Sequence, residues 1–512
     1  MAFLGLPLSD VLKSTPEQEV KPLPKKGRRM YAAAQQGRLL DGWIAGNSSA
    51  DTEIKGSIKQ LRQKTRQIIR DNPWGKNAHR SIISNVIGSS GIKLQAQVKQ
   101  IRGKRHDQKI NEAIETKFKK WCRADSCDTA GRASFVDIQR LVMSHMISDG
   151  ECLIRMIRKP FGSSKVPFAL QVLEPDLLDD DYNGRSSNNC TWRMGIEQDE
   201  YGRAKSFAFL TKHPGDTPFP VTSKANRHII VPADEVIHLY RPDRASQSRG
   251  VSEMASCLKD LHHLAGAAES SVVRFRASAS LMGFIENSDG ELQGDEVYEN
   301  ERVTGFSPGS FHYLNANEKV TIPDFDSPNG EFPEFMRAML RGVAASVGIG
   351  FESVSKDFSQ ANYSSSRLSL LEDRAQYRNI QNYLIEHFLT PVYENFLEMA
   401  VLSGELNLPN YESDPDRYRR VRFVPRGWEW VDPTKEVNGA IMAIKAGLKT
   451  QSQVISEMGG DIEELLPQRA DEVEKAKQLN LVFDTDLSSG VTTSAKQTII
   501  DENQTETNGK ET

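Results

Sequence analysis

Cysteine is scarce: five in 512 residues, at Cys122, Cys127, Cys152, Cys190 and Cys257. An odd, scattered set argues against a disulfide scaffold and for a reducing compartment with free thiols. Cys122-x4-Cys127 has no second Cys or His pair at zinc spacing, so no structural zinc is expected. No apolar run approaches the length needed to span a bilayer, so no membrane partner is expected. The opening MAFLGLPLSDVLKS has no basic residues ahead of its apolar ones, which makes it a poor secretory signal. These absences place the chain in a cytosol, without an anchor. An excess of positive charge is also missing. Lys and Arg number 65 against 69 Asp and Glu, a formal net charge of -4. That excludes the electrostatic footprint of a histone-like or repressor-like binder. It leaves room for a protein that handles DNA without gripping it. There is no G-x-x-x-x-G-K-[ST], so no P-loop ATPase is expected, and there is no internal repeat.

The chain falls into segments. The first 35 or so residues, rich in Pro, Lys, Glu and Gln, predict a loose arm. From Asp51 an apolar stripe (Ile54, Ile58, Leu61, Ile68) predicts a helix, broken and restarted at Asn72-Pro73. Its basic residues read more simply as a solvated face than as phosphate contacts. Further helices are expected over Asp107 to Arg123 and over Ser134 to Asp149, the second with Ser134 and Asp137 at capping-box spacing. From Glu151 the period changes to two, and several strands joined by turns at Gly162, Gly184, Gly202 and Pro232 predict an antiparallel sheet. A long helix over Ser252 to about Ala279 carries a seam stepping by four and three, with Leu258, Leu261, Ala265, Ala268, Val272 and Phe275 among its members. A turn-rich acidic module follows, with strand signals at FHYL and KVTIPDF. Next comes helix, polar loop, helix. The first runs from Pro333 to Val347 and stops at Gly348 and Gly350. The second restarts among Ser364, Ser365 and Ser366 and is interrupted at Thr390-Pro391. A strand and three short helices close the patterned part, and from Asp484 the Thr, Ser, Asn and Glu content predicts a disordered tail.

Little of this reads as catalytic chemistry. Gly305 to Gly309 spells GFSPG, the pattern of a nucleophile elbow. The elbow needs the N–H after the serine, and here that residue is Pro308, which has none. The acids Glu174, Asp176, Asp179, Asp180 and Asp181 are the right type for a divalent metal. A metal-dependent nuclease built on them would need them convergent in one cleft, whereas adjacent acids on a strand point alternately. His262 and His263 do not share a helix face.

In combination, several stretches resemble a known family. They are LRQKTRQIIRDNPWGKNAHRSIISNVIGSSGIKLQ, LQVLEPDLLDDD, IIVPADEVIHLYRPDRASQSRGVSEM, FPEFMRAMLRGVAASVGIGFESVSKDFSQANYSSSR and ISEMGGDIEELLPQRADE. Their order resembles the portal proteins of tailed bacteriophages, in particular the lambda-like portals. The resemblance implies an α+β chain with an antiparallel sheet wing, a two-helix stem, a small α/β clip and a helical crown, assembled as a homo-oligomeric ring, typically a dodecamer. It implies a flexible arm at 1–36, wing at 37–250, first stem helix at 251–285, clip at 286–330, second stem helix at 331–349, tunnel loop at 350–363, long wing helix and return strand at 364–431, crown at 432–483 and tail at 484–512. The ring would sit at one capsid vertex of the virion, assembled in host cytoplasm, with double-stranded DNA passing through it during packaging and ejection. Its expected partners are other copies of itself, terminase, head-completion or adaptor proteins, and capsid or scaffold protein; no enzyme activity, cofactor or metal is expected. The expected channel-loop residues are Ser353, Ser355, Lys356, Asp357, Ser359, Gln360 and Asn362. The expected docking surface of the clip is Gln293, Asp295, Glu296, Glu299, Glu301 and Arg302. The alternatives are the nuclease or head-maturation enzyme on the Glu174–Asp181 acids, and a smaller head–tail adaptor.

Overall fold

The computed structural model describes residues 46–100, 106–186, 189–216, 227–279, 284–287, 297–298, 301–302, 318–321, 331–360, 362–428, 433–479 and 481. The loose arm, the motif at 305–309, the strand signal FHYL and the tail lie outside them. Helices α1 (Ala50–Asp71) and α2 (Pro73–Val86) are parted by one residue. Asn72 is extended, and its side-chain oxygen accepts the N–H groups of Trp74 and Gly75 at 3.0 Å. Pro73 takes the first helical position, where no N–H is needed. The break expected at Asn72-Pro73 is therefore a capped restart. Strand β1 (Lys93–Ala96) leads to α3 (Gln108–Trp121), the single turn α4 (Ala124–Cys127) and α5 (Phe135–Ser148). α5 starts with the expected capping box: Ser134 Oγ accepts the Asp137 N–H at 3.3 Å, and the Asp137 carboxylate accepts the Ser134 N–H at 3.2 Å.

The strands form antiparallel sheets, as the alternation predicts. β2 (Glu151–Ile157), β3 (Ala169–Leu173) and β9 (Val236–Tyr240) make a three-stranded sheet in the order β3-β2-β9. β4 (Gly184–Arg185), β5 (Thr191–Arg193), β6 (Ile196–Gln198), β7 (Ala204–Leu210) and β8 (His228–Pro232) make a separate five-stranded meander. Gly184, expected in a turn, lies in a strand. Leu153, Leu178, Ile196, Phe207, Phe209, Val231 and Val236 form one buried apolar cluster shared by the two sheets. A larger core joins the helices and the outer face of β2. Trp121 stacks on Phe168 with ring centroids 5.4 Å apart, and Phe118 meets Phe135 and Phe396 edge-on.

After β9 the chain crosses the α5–β2 turn. A Cβ on Gly250 would lie 2.1 Å from the Gly150 carbonyl oxygen, and one on Gly150 (φ +85°) would lie 2.1 Å from the Val251 backbone. The two backbones touch, and only glycine permits it. The expected helix from Ser252 begins later: a 3₁₀ turn over Ala255–Cys257 precedes α6 (Leu258–Ala279). Two small strand pairs follow: β10 (Phe284–Asn287) with β13 (Glu318–Thr321), and β11 (Val297–Tyr298) with β12 (Glu301–Arg302). α7 (Glu331–Val347) returns antiparallel to α6, with the Ser256 and Ser346 hydroxyls hydrogen-bonded.

α8 (Phe351–Ser355) and α9 (Tyr363–Leu384) come next. A π turn over Ile385–Leu389 joins α9 to α10 (Thr390–Leu402). The interruption expected at Thr390-Pro391 is this turn. Pro391 has no N–H for the His387 carbonyl, and the Ile385 carbonyl instead accepts both the N–H and the hydroxyl of Thr390. α11 (Pro415–Tyr418) precedes β14 (Val421–Val424), which pairs with β1 and ties the return strand to the N-terminal helices. α12 (Pro433–Lys445), α13 (Gln451–Glu457) and α14 (Ile462–Gln478) end the described chain.

Candidate functional site

The segment between α7 and α9 is only partly a loop. Gly348 (φ +73°) ends α7, as glycine does at a helix C-terminus. The chain then turns back at once into α8, which the polar sequence did not announce. Val354 supplies the reason: it is 1% exposed, against the main core. Asn77 of α2 donates to the carbonyls of Ser353 and Val354 at 2.8 and 2.7 Å. From the other side Asp373 of α9 accepts the Gly350 N–H at 2.7 Å and the Ser353 hydroxyl at 3.1 Å. Burial raises the Asp373 carboxyl above the usual range despite these two donors. A Cβ at Gly350 would lie 2.5 Å from Ser369 Oγ, so a larger residue there would have to turn the serine side chain aside. Ser353 and Ser355, expected on a free polar loop, are thus part of a docked helical turn.

The non-helical part among the described residues is 356–360 and 362. Lys356 caps α8 in the left-handed conformation (φ +59°) and is exposed. Asp357 is held by its neighbours. The Ser359 hydroxyl and N–H, and then Arg337 of α7, keep its carboxyl below the usual range. Within one chain its cationic partner is Arg337 at 3.1 Å, with Lys356 turned outward. Ser359 and Gln360 are exposed. The cap of α9 is Asn362, whose side chain accepts the Ser365 N–H at 2.8 Å, where the following serines were expected to cap. The sequence reading missed Arg337 and Phe358. The only signal for Phe358 was a lone aromatic in a polar stretch.

The seam of α6 is split. Leu258 and Leu261 are buried, and Ala265 and Ala268 half-buried. Val272 and Phe275 are 49% and 52% exposed. Leu264, outside the four–three alternation, is buried. Of the expected docking residues, Gln293, Asp295, Glu296 and Glu299 lie outside the described residues. Glu301 and Arg302 form β12.

The five acids do not converge. Asp181 pairs with Lys59 on the surface, and Asp179 with His228 at 2.7 Å. Asp180 enters a buried cluster. There Arg249, fully buried, donates to both oxygens of Glu151, to Asp180 at 2.5 Å and to the carbonyls of Met194 and Pro175. Arg62 of α1 reaches the same Glu151 at 2.5 Å, and His238 meets its other oxygen at 2.9 Å. Burial alone would raise the Glu151 carboxyl; Arg249 and Arg62 overcome it and hold the group well below the usual range.

Only Glu174 and Asp176 share a place, with His213. His213 Nε2 lies 3.2 Å from Glu174 and 4.0 Å from Asp176. His213 Nδ1 accepts the Gly215 N–H at 3.0 Å, so the proton of the neutral ring sits on Nε2, which then has no lone pair for a metal. Asp176 also pairs with Arg66 at 2.5 Å. The adjoining cavity, about 730 Å³, is walled by Arg155 and Lys212 as well as by Glu174 and His213. His213 Nε2 makes no hydrogen bond of its own, and with Arg66, Arg155 and Lys212 close by the charge at this place is mixed.

A family model described as phage portal protein, lambda family, matches residues 36–381. A probable portal protein of Halomonas phage phiHAP-1 is 29% identical over 479 residues, covering 91% of this chain and 90% of that one. Portal protein B of Escherichia phage lambda is 19% identical over 477 residues, covering 87% and 89%. Among solved structures, a chain from the virion of a native gene transfer agent particle aligns at 14% identity with a TM-score of 0.43, over 82% of this chain and 96% of that chain. On the extent of the family match, the chain belongs to the lambda family of phage portal proteins.

Proposed function

We propose that copies of this chain close into a ring, a dodecamer by family resemblance, whose central channel passes double-stranded DNA at one vertex of the capsid. α6 and α7 form the stem, the module at 286–330 the clip, the helices and sheets before Gly250 together with α9 and α10 the wing, and α12 to α14 the crown. Residues 356–360 face the channel. The clip docks terminase and later the head-completion proteins, and wing and crown meet capsid or scaffold. The chain carries no catalytic step of its own; packaging work comes from a separate ATP-driven motor.

The observation that carries this reading is the seam of α6. One chain buries Leu258 and Leu261 in its first half and leaves Val272 and Val273 49% and 58% exposed farther along the helix. A rotationally closed ring gives every such helix two different neighbours, so the same face that is bare in one chain is covered in the assembly. The mild net acidity supports sliding over gripping, since each phosphate held by a cation adds salt-sensitive affinity. The nuclease alternative is not favoured: three of its five acids are spent on separate partners, Asp179 on His228, Asp180 on Arg249 and Asp181 on Lys59.

Mass measurement and negative-stain imaging of the purified full chain test the proposal. A wide-crowned ring with a central hole of duplex width is expected. A monomer, or a ring without such a hole, overturns it.

A further inference from the structure

Phe358 is 63% exposed, and the residues on either side of it are tied down. Arg337 donates from Nε to the Asp357 carboxylate and from Nη2 to Ser359 Oγ, each at 3.1 Å. The Asp357 N–H donates to Ser355 Oγ at 3.1 Å, and the other Asp357 oxygen accepts the Ser359 N–H at 3.0 Å. Lys356 before them holds a left-handed φ of +59°, uncommon outside glycine. One forked guanidinium, based on α7, thus holds the side chains on both sides of a single aromatic ring, which is itself largely exposed. Burying a phenylalanine side chain is favourable. The loop forgoes most of that gain.

We infer that Arg337 is a positioning residue that clasps the loop so that Phe358 presents an apolar contact to the passing duplex. This rests on the channel reading above. A cation reaching a phosphate binds directionally and displaces counterions, so each step of movement breaks a favourable contact. A phenyl ring against deoxyribose edges makes a contact that is neither directional nor charged. It cannot stack on bases that remain paired. The Arg337–Asp357 pair neutralises the charge beside the ring, which keeps the contact apolar. Phe358 therefore touches DNA and centres it without fixing its register.

The test uses phage in which the full-length portal gene carries Phe358→Ala, Phe358→Leu, Arg337→Met or Arg337→Lys. Ring mass and thermal midpoint are read on the purified proteins, and nuclease-protected DNA per head on the particles. Phe358→Ala and Arg337→Met are expected to form rings of normal mass and midpoint while protected DNA falls several-fold. Phe358→Leu should keep most of it. Arg337→Lys, which keeps the charge but not the fork, should fall between. Heads of Phe358→Ala as full as wild type overturn the proposal. So does failure of that variant to form rings, which would assign Phe358 to the contact between copies. Full heads from Arg337→Met beside a defect in Phe358→Ala would remove the clasp role. A wild-type chain that forms no ring would instead remove the channel reading, a result separable from all of these.

Discussion

Replacing Arg249 with alanine isolates the buried charge cluster from everything around it. Arg249 is 0% exposed, as is Glu151, and Asp180 is 4% exposed. The substitution leaves two carboxylates facing one remaining cation, Arg62, and strips donors from the carbonyls of Met194 and Pro175. Breaking a buried ion pair by removing one partner costs about 3–5 kcal/mol, because the surviving charge stays in a poorly solvated place. The unsatisfied carbonyls add to this, so the lower end of that range is the minimum expected. The natural control is on α1. Lys59 pairs with Asp181 at 2.9 Å, but the two side chains are 56% and 67% exposed. A pair of that exposure is worth about 0–1 kcal/mol, so Lys59→Ala should barely register. Urea unfolding of the unassembled chain, followed by tryptophan fluorescence, gives both values under one condition. A loss below about 1 kcal/mol for Arg249→Ala, equal to that for Lys59→Ala, would refute the claim that burial separates these two bridges.

Other outcomes follow from the same coordinates. Gly250→Ala forces a Cβ to within 2.1 Å of the Gly150 carbonyl oxygen, so it should prevent accumulation of folded protein; normal soluble yield would show that the crossing relaxes freely. The Glu151 carboxyl is depressed in the folded chain, so its contribution is complete above the ordinary carboxylate range and is lost as pH falls through its native value. Acid unfolding should therefore become shallower in Glu151→Gln, from a lower plateau at neutral pH; an unchanged slope would sink this assignment. Deleting residues 355–360 removes none of the core, since Val354 lies just outside, and should leave ring assembly intact while DNA packaging or retention fails; absence of rings would count against it.

Local signals were legible in the sequence and distant ones were not. Asn72-Pro73 and the Ser134–Asp137 box act within four residues, and both appear where the residue types demand. The alternation from Glu151 announced antiparallel strands but not their division into two sheets, which depends on the chain switching partners at Pro232. The acids near Asp180 looked like one cluster because sequence adjacency says nothing of direction; Arg249, 69 residues away, takes one of them inward. The polar run after Gly350 hid α8, because its only core residue is Val354 and its other anchors come from Asn77 and Asp373. The heptad on α6 identified an apolar face but not that one chain covers only half of it.

The π turn at Ile385–Leu389 has a consequence for the loop far from it. One residue inserted in a helix of 3.6 residues per turn rotates everything on one side of the insertion by about 100° relative to the other. α10 is fixed in the core through Val392, Tyr393, Phe396 and Leu397, and α9 through Tyr377, Ile380 and Leu384, so the turn sets the register in which the two helices present their buried faces to one core. The face of α9 that Asp373 turns toward α8, and with it the bearing of residues 356–360, therefore depends on a residue count more than twenty positions downstream. A single-codon deletion there would turn the buried face of one helix or the other out of the core by about 100°, so a change of length in this turn is felt as lost packing before it is felt as a re-aimed loop.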